Sequence, residues 1–332
     1  MLKKVKSKPK TMGVYHLSGM GRSPGAVTVP LTYVYLLLHH AEKGNNAAVD
    51  FFGTSGERDQ DKKGAPEYLI VFTSKEVIEQ TKQGKIESDK MKDDWFKTTS
   101  EFPQRVPDYL NRLWVALSRE GLSPFYEGNW IKGIYFVEVN HLNFERTFER
   151  VASTVYALRE KELWINMIGG VNQINIALLI AGTFYLASTR YYYVFQENTS
   201  LLHPEGVTFS KTLDPSFVRT ALDKWHEFPL VSLEMGKFVT SLAEKLKERG
   251  SINIGELELE KYGLPKQAIP KLRGTLVTIE GDRVSEGPRL RRIAELERKT
   301  EKIDNFSEWK KRFGREGVLY EYDERRMLVR VQ

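Results

Sequence analysis

The sequence predicts an α/β fold, with a doubly wound and mostly parallel sheet followed by a winged helix-turn-helix domain. Short apolar strands alternate with helices over the first two-thirds of the chain, which is typical of a parallel sheet covered by helices. Two glycine-rich breaks follow strands in this region. After residue 231 the alternation gives way to three helical segments and a short hairpin.

Each predicted strand is marked by a short apolar run, and each predicted helix by apolar residues at helical spacing. The expected strands are 14–17, 48–53, 68–73, 134–140, 163–168 and 191–195. The expected helices are 29–40, 74–83 and 144–161, with another in the apolar segment after Gly170. Residues 82–130 are too many for a bare loop, so we expect an insertion there with a helix at 108–119.

The domain boundaries follow from the same patterns. They are a basic tail at 1–10, a sheet domain at 11–203 with its insertion at 82–130, a linker at 204–231, a winged helix-turn-helix at 232–302, and a C-terminal helix and hairpin appendage at 303–332. Within the winged unit, helices are expected at 233–248, 255–262 and 265–273, and the wing at 276–285.

Composition favours a globular, cytoplasmic protein. Hydrophobic residues make up 41% of the 332 residues and charged residues 28%, which is ordinary for a folded domain. The longest apolar run, 174–187, is too short to span a membrane, and the N-terminal lysines precede no apolar segment of a secretory signal. The chain has no cysteine, and its six histidines show no metal-ligand spacing. We therefore expect no metal. Because a GxGxxG fingerprint is absent, a nicotinamide cofactor is disfavoured, and we expect no cofactor.

The first glycine-rich break is LSGMGRSPGAV, at residues 17–27. Glycine lets the backbone approach a ligand closely, and the helix start behind it offers unpaired N–H groups and partial positive charge to an anion. Ser23 is expected to cap this helix and Pro24 to be its first residue, while Arg22 adds a charge. Capping alone would also explain Ser23.

The second break is GGVNQIN, at residues 169–175. Asn172 is expected to cap the following helix, and Gln173 or Asn175 could offer an amide to a base or a ribose. A simple strand-to-helix turn with a capping asparagine explains the same residues. Because ligands gather beyond the carboxyl ends of strands in open α/β sheets, the two breaks would form one site for an anionic ligand.

These two motifs, together with FTSKEV at 72–77, resemble the CARF domain of CRISPR-associated proteins over roughly residues 11–200. That family has a first-strand loop like G-x-S-P-G-x-V and a later G-G-T-K or G-G-T-N before a small apolar helix. A CARF domain followed by a winged helix is similar to the archaeal ring nucleases of type III CRISPR systems. The resemblance implies a Rossmann-like fold and a homodimer that binds cyclic tetra-adenylate across its two-fold axis.

The resemblance also implies slow, metal-independent cleavage of the ring, in which a ribose 2′-hydroxyl attacks the adjacent phosphate. Ser23 matches the family's active serine, whereas Asn172 stands where a lysine is expected. An amide carries no charge, so Arg22, or Arg105 from the insertion, is the candidate cation. The residues expected to bind the ligand are Ser18, Gly19, Met20, Gly21, Thr73, Asn140, Gly169, Gly170, Val171 and Gln173.

Two alternatives stay open. The first is a cyclic-oligoadenylate-responsive transcription regulator, because the basic residues of the winged unit could contact DNA, although such units also serve in dimerisation and packing. Those basic residues are Lys266, Lys271, Arg273 and Arg283. The second is a cyclic-oligoadenylate-activated ribonuclease, because Arg219 and His226 have the R-x6-H spacing of HEPN ribonucleases. That fold needs a long helical domain, so chance is the better explanation of this spacing.

Overall fold

The computed structural model describes residues 14–21, 23–53, 66–78, 105–121, 131–185, 187–194, 209–228, 235–300, 302–313, 317–322 and 328–331. Within this part of the chain, an eight-stranded and mostly parallel sheet is flanked by helices, and a second sheet has three antiparallel strands. The predicted α/β class is confirmed. Among the described residues, no helix combines the length and apolar character that a membrane span needs.

Five parallel strands form the centre of the large sheet. They are β1 (Val14–Gly19), β2 (Pro66–Thr73), β3 (Gly133–Glu138), β4 (Glu162–Asn166) and β5 (Ser188–Val194). Their order is β3-β2-β1-β4-β5, so the winding of the sheet reverses between β1 and β4 as in Rossmann-like folds. Since the strands run in parallel, their carboxyl ends meet along one edge.

Helices cover both faces of this sheet. They are α1 (Gly25–Glu42), α2 (Asn46–Gly53), α3 (Lys75–Ile78), α4 (Arg105–Arg119), α5 (Phe144–Ala157), α6 (Asn172–Phe184) and α7 (Phe217–Lys224). Side chains of β2 alternate between two buried apolar clusters: Leu69 and Val71 join the cluster with α1 and α4, and Ile70 and Phe72 the cluster with α5 and α6. Burial on both faces explains why these strands are continuously apolar.

The strand predicted at 48–53 is wrong, because these residues form α2. Ala48, Phe51 and Phe52 are buried, and their spacing of three and four residues places them on one side of a helix. A short apolar run does not distinguish a buried helix from a buried strand. The contact of α2 with α1 decides between them here.

Antiparallel strands extend the sheet at both edges. The strand β6 (Trp225–Phe228) pairs with β5, and at the opposite edge β10 (Val318–Tyr322) pairs with β3 and with β11 (Leu328–Arg330). Residues 204–231, expected as a linker, thus contribute α7 and an edge strand. The C-terminal residues, expected as an appendage, join the main sheet, because the open edge of β3 offers unpaired backbone groups.

The remaining elements are a smaller unit with its own buried core and, separate from that core, a C-terminal helix that packs in the cluster with α5 and α6. They are α8 (Met235–Arg249), β7 (Ser251–Asn253), 3-10 turns at Ile254–Leu257, Leu259–Tyr262 and Lys266–Ala268, α9 (Ile269–Leu272), β8 (Val277–Glu280), β9 (Arg283–Glu286), α10 (Leu290–Thr300) and α11 (Phe306–Phe313). The hairpin expected at 276–285 is present. The helices expected at 255–262 and 265–273 are largely 3-10 turns, so the winged helix-turn-helix assignment stays a prediction.

Candidate functional site

The two glycine-rich loops touch each other where the winding of the sheet reverses. A Cβ atom on Gly19 would lie 2.6 Å from the carbonyl oxygen of Gly169, and one on Gly169 would overlap the carbonyl oxygen of Gly19. Gly170 has a φ angle of +83°, a left-handed conformation that side chains disfavour. The two backbones are therefore in direct contact, and this contact requires glycine on both sides.

Buried polar side chains hold the two loops in place. The amide of Asn166 donates to the hydroxyl oxygen of Ser18 at 3.0 Å and to the carbonyl of Ala26 at 2.7 Å, and its own oxygen accepts from the Ile168 N–H at 2.9 Å. The Thr73 hydroxyl donates to the Met20 carbonyl at 2.8 Å. The side chains of Ser18 and Thr73, predicted to contact the ligand, are thus engaged in fixing the loops.

The helix starts behind the loops differ from the predicted ones. The helix α1 begins at Gly25, with Pro24 as its N-cap and no capping bond from a side chain, so Ser23 lies one residue before the cap. The N-cap of α6 is Val171, whose extended backbone (φ −81°, ψ 156°) completes the glycine turn and moves Asn172 into the first helical turn. The predicted capping roles of Ser23 and Asn172 are therefore wrong, and capping does not explain these residues.

A cleft of about 440 Å³ lies beyond the carboxyl ends of β1 to β4. This volume is in the range of small-molecule pockets. Its walls come from the loops after three strands and from the start of α6, and the lining residues are Met20, Gly21, Ser74, Glu76, Val77, His141, Leu142, Val171 and Ile174. The cleft lies at the edge where ligands of open α/β sheets bind.

The structure brings most of the predicted ligand-binding residues to this edge. Met20, Gly21 and Val171 line the cleft, and Asn172 and Gln173 are exposed at the start of α6. Asn140 belongs to the turn after β3, where its side chain accepts from the Leu142 N–H at 3.1 Å. The two predicted cations are Arg22 and Arg105, and Arg22 and the side chain of Arg105 lie outside the described residues.

Sequence reasoning missed the pairing of Glu76 with His141. The Nδ1 atom of His141 lies 3.9 Å from Oε2 of Glu76, and each side chain is about one-third exposed. The pKa of the Glu76 carboxyl is lowered, chiefly by a hydrogen bond from its own backbone N–H and by one from the Ser74 hydroxyl. Both residues follow predicted strands closely, which is the signal that could have found them.

Helix α6 has an exposed apolar face. Ile176, Leu179 and Ile180 are 47%, 41% and 41% exposed, whereas Ile174 and Leu178 on the other side are buried. Spacings of three and four residues place the exposed side chains together. A helix that is apolar on all sides is normally buried on all sides, so this face is suited to a protein partner.

The basic residues predicted to contact DNA are exposed in the smaller unit. They are Lys266, Lys271, Arg273 and Arg283. Two of them have polar neighbours: the Nζ atom of Lys266 is 3.6 Å from Glu260 Oε1, and Nε of Arg283 donates to the Ser251 hydroxyl at 2.7 Å. The expected recognition helix is the four-residue α9 after a 3-10 turn.

The HEPN-like spacing falls on unsuitable elements. Arg219 lies on α7, which has eight residues, and His226 lies on the edge strand β6, where it stacks on Tyr193 with ring centroids 4.9 Å apart. The described residues around this motif thus form no long helical domain, and we attribute the spacing to chance. Among the described residues there is also no group of three His, Asp or Glu side chains that could hold a metal ion.

Comparisons with known proteins identify one relative over nearly the full chain. No protein-family model matches. A solved chain of Enterococcus italicus Csm6 bound to cyclic hexa-2′-fluoro-hexa-dAMP aligns with 71% of this chain at a TM-score of 0.35 and 11% identity. This chain covers 46% of that Csm6 chain, less than half of its length, and at so low a TM-score the likeness carries no conclusion. An Archaeoglobus fulgidus protein described as uncharacterized is 38% identical over 324 residues, which cover 94% of this chain and 98% of that protein. The chain therefore belongs to the same family as this Archaeoglobus fulgidus protein.

Proposed function

We propose that the protein binds cyclic tetra-adenylate at a homodimer interface and cleaves it slowly, which would switch off type III CRISPR antiviral signalling in the cytoplasm. One observation carries the proposal. The two motifs that resemble those of CARF ring nucleases meet backbone to backbone at Gly19 and Gly169, at the point where α/β sheets bind ligands. Glycine on both sides lets the two backbones come this close, which a site built from backbone groups requires.

The ring would be held mainly by backbone groups and apolar walls. Its phosphates are negatively charged, and the unpaired N–H groups in the first turn of α6, with the helix dipole, favour such an anion. Val171 and Leu142, which line the cleft and are exposed, offer apolar surface against which an adenine could pack. The exposed amides of Asn172 and Gln173 are suited to polar edges of the base or the ribose.

The proposed cleavage needs positioning more than a metal. The 2′-oxygen of a ribose attacks the adjacent phosphorus, the bond to the 5′-oxygen breaks, and a 2′,3′-cyclic phosphate forms. The protein would hold the attack in line and stabilise the charge that grows on the phosphate oxygens. Ser23 would donate a hydrogen bond to that charge. Because Asn172 offers an amide in place of a cation, this stabilisation is weak and the reaction is slow.

Cleavage in the presence of EDTA tests the enzymatic part of the proposal. We expect purified protein to convert the ring into linear products that end in a 2′,3′-cyclic phosphate. Ser23→Ala is expected to cleave roughly tenfold more slowly, the effect of one lost hydrogen bond, while its affinity for the ring is kept. Ser216→Ala, at an exposed serine beside α7, is the control. An intact ring at high enzyme concentration would exclude the nuclease activity.

The homodimer is proposed to form through the exposed apolar face of α6. That face begins next to the cleft residue Val171, so a second copy packed on it would bring a second cleft close to the first. A ring with rotational symmetry suits a two-fold dimer that presents each loop twice.

Leu179→Glu tests the dimer. We expect the variant to sediment as a monomer and to bind the ring at least about tenfold more weakly, because a charge is costly in an apolar interface. Val115→Glu is a matched control, since Val115 on α4 is equally exposed at 42%. If Leu179→Glu remained dimeric with full ring affinity, another surface would have to form the dimer.

A second candidate function is a transcription regulator controlled by the ring. The observation that favours it is the exposure of four basic side chains in the smaller unit, Lys266, Lys271, Arg273 and Arg283. Sequence-specific DNA binding that changes when the ring is added would support this function. No binding at low salt, where phosphate contacts are strongest, would exclude it.

A further inference from the structure

The cleft contains an imidazole that the glycine motifs do not account for. We propose that His141 is the general base of the ring cleavage and that Glu76 is a positioning residue for its imidazole. This inference rests on the proposed function and adds to it the group that removes the proton from the attacking 2′-hydroxyl. Among the described residues that line the cleft, His141 carries the only imidazole and Glu76 the only carboxylate.

The sheet places the two residues side by side. Their parent strands β2 and β3 are parallel neighbours whose last residues, Thr73 and Glu138, pair in register. The N–H of Val139 then donates to the Thr73 carbonyl at 2.9 Å, which continues the pairing beyond the strands. The loops that carry Glu76 and His141 therefore start from a fixed relative position.

The turn that carries His141 is braced on both sides. The hydroxyl of Thr147 donates to the Asn140 carbonyl at 2.7 Å, and the Asn140 side chain accepts from the Leu142 N–H at 3.1 Å. On the next residue, the Asn143 side chain caps α5 by accepting from the Arg146 N–H at 3.1 Å. A general base must be held in place, and these bonds restrict the movement of the turn.

Glu76 is suited to orient the imidazole. Its carboxyl has a lowered pKa because its own backbone N–H and the Ser74 hydroxyl donate to it, so it is charged near neutral pH. It faces Nδ1 of His141 at 3.9 Å, about 1 Å longer than a hydrogen bond, and the proposed role requires this contact to tighten when the ring binds. Another charged group beside Glu76 is Lys75. With Nδ1 directed at the carboxylate, Nε2 is left to meet the substrate.

The proposed proton transfer balances without a metal. Nε2 of His141 accepts the proton of the 2′-hydroxyl while the 2′-oxygen bonds to phosphorus and the bond from phosphorus to the 5′-oxygen breaks. The leaving 5′-oxygen takes a proton from water, and the imidazolium releases its proton to solvent. Such a base makes the nucleophile more reactive, which is a contribution distinct from the missing positive charge at Asn172.

Single-turnover cleavage of cyclic tetra-adenylate in EDTA tests the inference, with ring affinity measured separately by calorimetry. We expect His141→Asn to cleave about 10²–10⁴-fold more slowly, the usual contribution of a general base, with affinity within about threefold of the wild type.

Three further variants sharpen the result. Glu76→Gln is expected to cleave roughly tenfold more slowly with ring affinity within about threefold of the wild type, and Glu76→Asp is expected to recover part of the lost rate. A merely structural role of Glu76 would lower ring affinity or the temperature of unfolding together with the rate, and Glu76→Asp would not restore the rate selectively. His226→Asn, at an exposed histidine on the edge strand β6, carries the same substitution away from the cleft and is expected to match the wild type.

The outcomes separate this inference from the function on which it rests. Wild-type cleavage by His141→Asn would overturn the inference and leave the ring nuclease intact. An equal loss of affinity and rate, in a variant with unchanged thermal unfolding, would also overturn it, because His141 would then only hold the ring. If the wild type bound the ring without cleaving it, the nuclease proposal itself would fail, and the role of His141 with it.

Discussion

Replacement of Gly169 by alanine is expected to reduce the affinity for cyclic tetra-adenylate by about 100-fold, which corresponds to one or two lost hydrogen bonds to charged phosphates. The new Cβ would overlap the carbonyl oxygen of Gly19. Strand β1 cannot move away, because it is paired with β2 on one side and β4 on the other. The second loop must shift instead, and this shift would disturb the hydrogen bonds of Asn166 that hold both loops.

The same substitution is expected to destabilise the protein by about 1–3 kcal/mol, the usual cost of an overpacked core. Ring affinity can be measured by calorimetry and stability by thermal unfolding. Gly255→Ala is the control, because a Cβ there meets no atom within 4 Å. Wild-type affinity and stability in Gly169→Ala would show that the loop contact is not needed for the site.

Asn172→Lys is expected to increase the rate of ring cleavage by about 100-fold, the size of effect seen when one stabilising group is lost from a transition state. Asn172 is the first residue of α6 and is exposed, so a longer side chain fits there. A cation in this position would face the charge that develops on the phosphate. A lysine in the first turn of a helix costs about 0.3–1 kcal/mol through the helix dipole, which is too little to unfold the unit.

Product formation in EDTA measures this gain. Gln267→Lys adds the same charge at an exposed position of the smaller unit and is expected to leave the rate unchanged. In the double variant with Ser23→Ala, the gain is expected to shrink if both residues act on the same phosphate, because such residues couple. A rate unchanged by Asn172→Lys would contradict the assignment of this position to the reacting phosphate.

Much of the candidate site could be predicted from local sequence. Glycine followed by a helix start has a direct physical meaning at residues 17–27 and 169–175, since both features are local properties of the chain. Asn166 and the pairing of Glu76 with His141 could not be predicted in this way. Their partners are far away in sequence: Asn166 bonds Ser18, 148 residues earlier.

The capping predictions failed for a related reason. Propensity places asparagine at a helix N-cap, but the left-handed conformation of Gly170 and the extended one of Val171 end the turn one residue before Asn172. The backbone path of a turn is set by its contact with Gly19 as well as by its own residues. A shift of one residue is enough to change the role of a side chain from cap to candidate reactive group.

The alternation of apolar runs along the chain determined the α/β class, the strands at the centre of the sheet and the edge at which the glycine loops lie. These features depend on periodicity and on local backbone preference, which the order of residues encodes directly. Only the tertiary structure decided that 48–53 is a helix, that β10 pairs with the edge of β3, and that His141 faces Glu76. Such features depend on which distant segments meet, because pairing partners and burial are properties of the whole fold.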